Sequence, residues 1–140
     1  APEDVTIHNY PAVPEFQEKE KVILVFPSED AFSLKMIGQD LDQQAKELSD
    51  ANKTALFERV VFIDSTWQQC HQIITDKKLD GLRRVKLENT CLATIEAIYY
   101  FFKEYEQHIL KREYDGKFDN LLYFFAFQYN LIQEEQLKRQ

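Results

Sequence analysis

The segment Val60-Val61-Phe62-Ile63-Asp64-Ser65-Thr66-Trp67 constrains the fold of this chain more than any other. Four apolar residues, β-branched or aromatic, run straight into three short oxygen-bearing side chains and then into the only tryptophan. An apolar run without alternation marks a strand covered on both faces, as in a parallel sheet between helices. Asp64, Ser65 and Thr66 stand where that strand ends, and open α/β sheets bind ligands beyond the carboxyl ends of their strands. A plain structural reading competes: the three polar residues cap a helix starting near Trp67, and Trp67 fills the core.

The rest of the chain repeats the pattern. Lys21-Val22-Ile23-Leu24-Val25-Phe26 reads as another buried strand, stopped by Pro27, which has no N–H for a ladder. Ser28, with Glu29 and Asp30 in the first turn, starts a helix expected from about Glu29 to Leu48. Ala31, Leu34, Ile37, Leu41, Ala45 and Leu48 form its apolar stripe, and Ser49 to Asn52 break it. Trp67 to Thr75 reads as a helix, and Arg83 to Leu87 as a short third strand. Leu92 to Leu110 is a strong helix with Ile95, Ile98, Tyr99, Phe102 and Ile109 on its apolar face. Phe118 to Gln136 is apolar nearly all round, which calls for cover on more than one side. Near the start, Val5 to His8 reads as an edge strand, and Pro11 and Pro14 impose an extended connector. Strands alternating with helices imply an α/β fold, a parallel sheet flanked by helices. At 140 residues the chain is one domain, with residues 1–20 an extended N-terminal segment. It opens on Ala1, and Met36 is its only methionine, which suggests a piece of a longer protein.

Composition removes several chemistries. With three glycines the chain has no glycine-rich phosphate loop and no nucleophile elbow. His8, His71 and His108 have no ligand spacing with Cys70 and Cys91, so no metal site is expected, and the two cysteines read as free thiols. No apolar run approaches a membrane span. The net charge of −7 argues against a dedicated nucleic-acid binder. Locally, Lys77, Lys78, Arg83, Arg84 and Lys86 face only Asp76 and Asp80, either as a solvated helix end or as an edge that contacts phosphate. Three polar stretches then converge on one crevice: Pro27-Ser28-Glu29-Asp30, Asp64-Ser65-Thr66-Trp67, and Thr94-Ile95-Glu96-Ala97 opening the long helix. Carboxylates, hydroxyls, helix N-termini and a large aromatic suit a ligand with a cationic centre, an aromatic base and an amino-acid end.

Asp64-Ser65-Thr66-Trp67 resembles the D-x-T-W signature of the DTW-domain family. Phe26-Pro27-Ser28-Glu29-Asp30-Ala31 is similar to that family's strand-end motif, and Thr94-Ile95-Glu96-Ala97 to its [ST]-x-E-A motif. Tyr114-Asp115-Gly116-Lys117-Phe118-Asp119-Asn120-Leu121-Leu122 and Tyr10 to Glu15 resemble the eukaryotic branch. The resemblance implies a SPOUT-like α/β domain with a C-terminal trefoil knot, acting as a monomer in the nucleus, with the cytoplasm as a second location. It implies transfer of a 3-amino-3-carboxypropyl group from S-adenosylmethionine to N3 of a D-loop uridine in tRNA, releasing methylthioadenosine. Asp64 is then the candidate general base. Phe26, Pro27, Ser28, Asp64, Ser65, Thr66, Trp67, Thr94 and Glu96 become the donor site. Trp67 packs the sulfonium, Ser28, Thr66 and Thr94 hold the carboxylate, and Glu96 holds the amino group or bonds the first turn of its helix. Lys77, Lys78, Arg83, Arg84 and Lys86 become the tRNA contacts. Methyl transfer from the same donor and a non-catalytic RNA- or protein-binding module are the alternatives. The chain departs from the family by lacking its cysteine-rich N-terminal segment. It also lacks a long basic, aromatic loop, whose place Leu87 to Leu92 closes almost directly.

Overall fold

A computed structural model of the chain describes residues 4–47, 57–89 and 93–139. Its elements run β1 (Val22–Val25), β2 (Phe32–Ser33), α1 (Leu34–Glu47), β3 (Arg59–Phe62), α2 (Trp67–Ile74), β4 (Arg83–Lys86), α3 (Thr94–His108) and α4 (Asn120–Lys138). The four strands form one sheet in the order β2-β4-β1-β3, and every pair is parallel. Val25 aligns with Phe62 on one side and Val85 on the other, so β1, β3 and β4 end at one level.

Cover on both faces explains the unbroken apolar runs. Ile23 points into a cluster with Leu34, Ile37, Val85, Leu87 and Phe101, beneath α1 and α3. Its neighbours Val22 and Leu24 point the other way, to Ile74, Leu79 and Leu82 beside α2. Leu24, Leu34 and Val85 are fully buried, and each such side chain contributes about 2 kcal/mol by leaving water. Gly38 lets α1 approach α3, since a Cβ there would collide with the carbonyl oxygen of His108. That contact outweighs the ~1 kcal/mol that glycine costs inside a helix.

The structure corrects several expectations. Val5 to His8 is not a strand, and Val5 and Ile7 stand exposed, with β2 and β3 as the two edges of the sheet. The helix expected from Glu29 begins at Leu34, because Phe32 and Ser33 first pair with Val85 and Lys86 of β4. Ser33, rather than Ser28, serves its start: Ser33 Oγ accepts from the Met36 N–H at 3.2 Å. Leu48 and the break after it lie outside the described residues. On α3 the deepest side chain is Phe101, backed by Ala97 and Tyr105, one position round from the expected Ile98 and Phe102. Phe101 was the missed core residue. It stacks with Tyr105 and meets Phe57 and Phe62 edge-on. The last helix is an uncovered element: no described residue of α4 is buried, and Tyr123, Phe124 and Phe127 are more than half exposed.

The Tyr114–Leu122 stretch joins α3 to α4. Asp119 Oδ1 accepts from the hydroxyls of Tyr99 and Tyr114, each at 2.9 Å, and Tyr114 Oη accepts from the Phe118 N–H. Gly116 supplies a φ of +83° between Asp115 and Lys117. Lys117 Nζ then reaches Glu106 Oε1 at 2.6 Å. This family-like motif fastens the two helices and takes no part in the crevice.

Candidate active site

Beyond the carboxyl ends of β1, β3 and β4 lies a cavity of about 420 Å³. Its place follows from the topology: three parallel strands end together, and the chain leaves each in a different direction. Phe26 and Pro27 form one wall, Asp64, Ser65 and Trp67 a second, and Thr94 at the start of α3 a third. The three stretches singled out in the sequence therefore meet at one site. The volume lies within the range of small-molecule sites.

Asp64 is fixed across the sequence. Its Oδ1 accepts a 2.7 Å hydrogen bond from Thr94 Oγ1, tying the end of β3 to the first residue of α3. Among the described residues Oδ2 has no partner, so one carboxylate oxygen is held and the other is available to a ligand. Thr66 is occupied otherwise. Its Oγ1 accepts from the Gln69 N–H at 3.3 Å while Gln69 Oε1 accepts from the Thr66 N–H, a reciprocal cap on α2. The capping interpretation thus holds for Thr66, but Trp67 is no core filler: it is 57% exposed on the cavity rim.

Ser28, Thr66 and Glu96 lie outside the cavity lining. Ser28 Oγ is buried with no hydrogen-bond partner among the described residues, and it stands near Asp30, whose carboxyl lies below its ordinary value. Glu96 Oε2 accepts from the Ala93 N–H at 2.9 Å, the second of its two expected roles. The basic window divides. Arg84 lies over the Phe26 ring, 5.7 Å from its centroid, and Lys86 lines the cavity itself. Lys77 and Lys78 sit on a 3-10 turn before β4, Arg83 is exposed at the strand's start, and Lys78 Nζ donates to the Val13 carbonyl at 2.9 Å.

Sequence reasoning missed Cys70 and Asn89 as lining residues, and it grouped Lys86 with the tRNA contacts without placing it at the cavity. Cys70 was findable as the residue one helical turn beyond Trp67. Asn89 and Lys86 were findable by treating the end of the third strand as the other ends were treated. Burial pushes the Cys70 thiol up, with the Ser65 hydroxyl pulling weakly the other way, so it is a neutral wall and not a nucleophile at pH 7. Among the described residues no group of three or more His, Cys, Asp or Glu side chains is placed to hold a metal ion. No helix of the described residues is long and apolar enough to cross a membrane.

The profile of the DTW domain matches residues 6–133, nearly the whole chain. The chain belongs to the DTW-domain family. Among curated relatives, the tRNA-uridine aminocarboxypropyltransferase 1 of Pongo abelii is 37% identical over 174 aligned residues, covering 94% of this chain and 57% of that protein. The Xenopus tropicalis protein of the same name is 36% identical, covering 96% and 60%, and that of Rattus norvegicus 35%, covering 96% and 58%. This DTW chain spans about three fifths of the length of those relatives. The aligned stretch is longer than its whole 140 residues, so the relatives carry segments inside the match that it lacks. No solved structure matches. The residues that give the DTW domain its name divide by role here: Asp64 and Trp67 face the cavity, and the threonine between them caps α2.

Proposed function

We propose that this DTW domain transfers the 3-amino-3-carboxypropyl group of S-adenosylmethionine to N3 of a D-loop uridine in tRNA. The observation that carries the reading is the meeting of Phe26-Pro27, Asp64-Ser65-x-Trp67 and Thr94 around one cavity, in a chain whose relatives are named tRNA-uridine aminocarboxypropyltransferases. The lining fits such a donor in kind: three aromatic rings for adenine and sulfonium, one carboxylate, one ammonium and small polar groups. The SPOUT-like fold and its knot belong to the same proposal, supported by the parallel four-stranded sheet between helices.

Bound in the cavity, the donor supplies an electrophilic carbon beside a sulfonium and leaves as a neutral thioether, so the departing group needs no acid. What remains is proton removal and aim. N3 of uracil is a poor nucleophile while protonated, and Oδ2 of Asp64 takes that proton as general base. The Thr94 hydroxyl holds Oδ1 and so orients Asp64. Trp67 packs its ring face against the cationic sulfur, where the aromatic quadrupole favours positive charge. Phe26 and Pro27 fix the donor from the β1 side, so that the chain carbon rather than the methyl group meets the uridine. Lys77 and Arg83, exposed and without an ion-pair partner among the described residues, are the candidates for contact with tRNA phosphates.

Label transfer tests the reading. With S-adenosylmethionine labelled in its carboxyl carbon, unmodified tRNA is expected to gain label. With the donor labelled in its methyl group it is expected to gain none. The reverse pattern makes the domain a methyltransferase, and label in neither case makes it a binding module.

A further inference from the structure

We infer that Lys86 binds the carboxylate of the donor's amino-acid end, an inference that rests on the reading of the cavity as an S-adenosylmethionine site. Among the residues lining the cavity Lys86 is the one cation and Asp64 the one anion. Among the described residues the Lys86 side chain has neither an ion-pair nor a hydrogen-bond partner, so its ammonium is free to meet a ligand. The register gives the spacing. Val25 aligns with Phe62 and with Val85, which puts Lys86 one residue beyond that level on β4 and Asp64 two beyond it on β3. β1 lies between the two strands, so their backbones stand two strand spacings apart, about 10 Å, and Lys86, which follows the core-facing Val85, leaves the sheet on the opposite face from it at the cavity's edge. The flexible four-carbon stem of a lysine crosses much of that distance. An amino-acid head fills the remainder.

Charge decides the assignment. The donor carries a sulfonium, which an unneutralised ammonium in the same cavity repels. The donor's one anionic group is its carboxylate, so that is the group a cavity-lining ammonium attracts. The side chains first expected to take the carboxylate do not compete: Ser28 and Thr66 lie outside the lining, and the Thr94 hydroxyl donates to Asp64. A tRNA phosphate is the other anion available. It fits Lys77 and Arg83, which lie before and at the start of β4, better than Lys86, which is exposed as they are but lines the cavity beside Phe26 and Leu87.

Calorimetric titration of the full chain with S-adenosylmethionine and with its decarboxylated analogue tests the inference without turnover. The unaltered protein is expected to bind S-adenosylmethionine about ten- to a hundredfold more tightly than the analogue, the range of one charge-assisted hydrogen bond. Lys86→Gln is expected to abolish the preference by weakening S-adenosylmethionine alone, and Lys86→Arg to keep it. Unchanged affinity for the analogue shows that the variant is folded. A preference that survives in Lys86→Gln overturns the inference and leaves the donor site standing. If tRNA binding by that variant also falls, with a shallower salt dependence, Lys86 is a phosphate contact. Failure of the unaltered protein to bind either compound overturns the donor-site reading and this inference together.

Discussion

Asp64→Asn is expected to lower aminocarboxypropyl transfer by about 10²- to 10⁴-fold, the range for loss of a positioned general base, while donor affinity changes little. The substitution preserves shape, and the amide oxygen still accepts from Thr94 Oγ1, so the joint between β3 and α3 survives. What disappears is the ability to take a proton from N3. Single-turnover kinetics with saturating donor isolates this step from binding. Because proton removal is what the substitution takes away, the rate of Asp64→Asn is expected to recover between pH 7 and pH 9, where uridine N3 begins to ionise by itself. A recovery of tenfold or more assigns proton removal alone. Unchanged turnover at pH 7 removes Asp64 from the chemistry.

Glu104→Gln is expected to stabilise the domain at pH 8 by about 2 kcal/mol and to leave it nearly unchanged at pH 4. Glu104 is buried on α3 at 6% exposure. Its Oε1 accepts from the Glu88 N–H at 3.0 Å, and its Oε2 is buried with no partner. Burial pushes the carboxyl up to about 7, opposed by the Glu88 backbone bond and reinforced by the Glu88 charge. The folded state therefore holds this proton more tightly than the unfolded chain, where the value is near 4.5. Its stabilising effect is complete below pH ~4.5 and is lost as pH rises through 7. Glutamine keeps the acceptor for Glu88 and carries no charge to bury. Urea unfolding at pH 4, 6 and 8 measures both the slope and its removal. A parent whose stability is flat across that range contradicts the account.

Much of this architecture was legible because it rests on local chemistry. The apolar run at Val22–Val25 became a central parallel strand and that at Arg59–Phe62 the edge strand beside it, both with helices on their two faces. The ends of β1 and β3 were legible as a site for the same reason. Non-local pairing was not legible. Phe32 and Ser33 lie in a helical pattern, and only β4 alongside them makes them a strand. The exact stripe of α3 was set by where the sheet met it: Tyr99 is buried and Phe102 and Ile109 pack against the core as expected, but the deepest position is Phe101. Thr66 and Asp64 are two residues apart and equally polar, yet one caps α2 and the other faces the cavity, a division fixed by the exit angle of β3 rather than by residue type. Lys86 read as part of a basic patch because charge counts along a chain ignore which end of a strand carries each charge.

Trp67 offers the most direct measurement of the central claim, that the cavity beside Asp64 is the donor site. It is the only tryptophan in the chain, it lines the cavity, and it is largely exposed. Titration with S-adenosylmethionine is expected to shift or quench its emission saturably, with a midpoint equal to the calorimetric dissociation constant. Saturable calorimetric binding with no change in tryptophan emission places the donor elsewhere and contradicts the account.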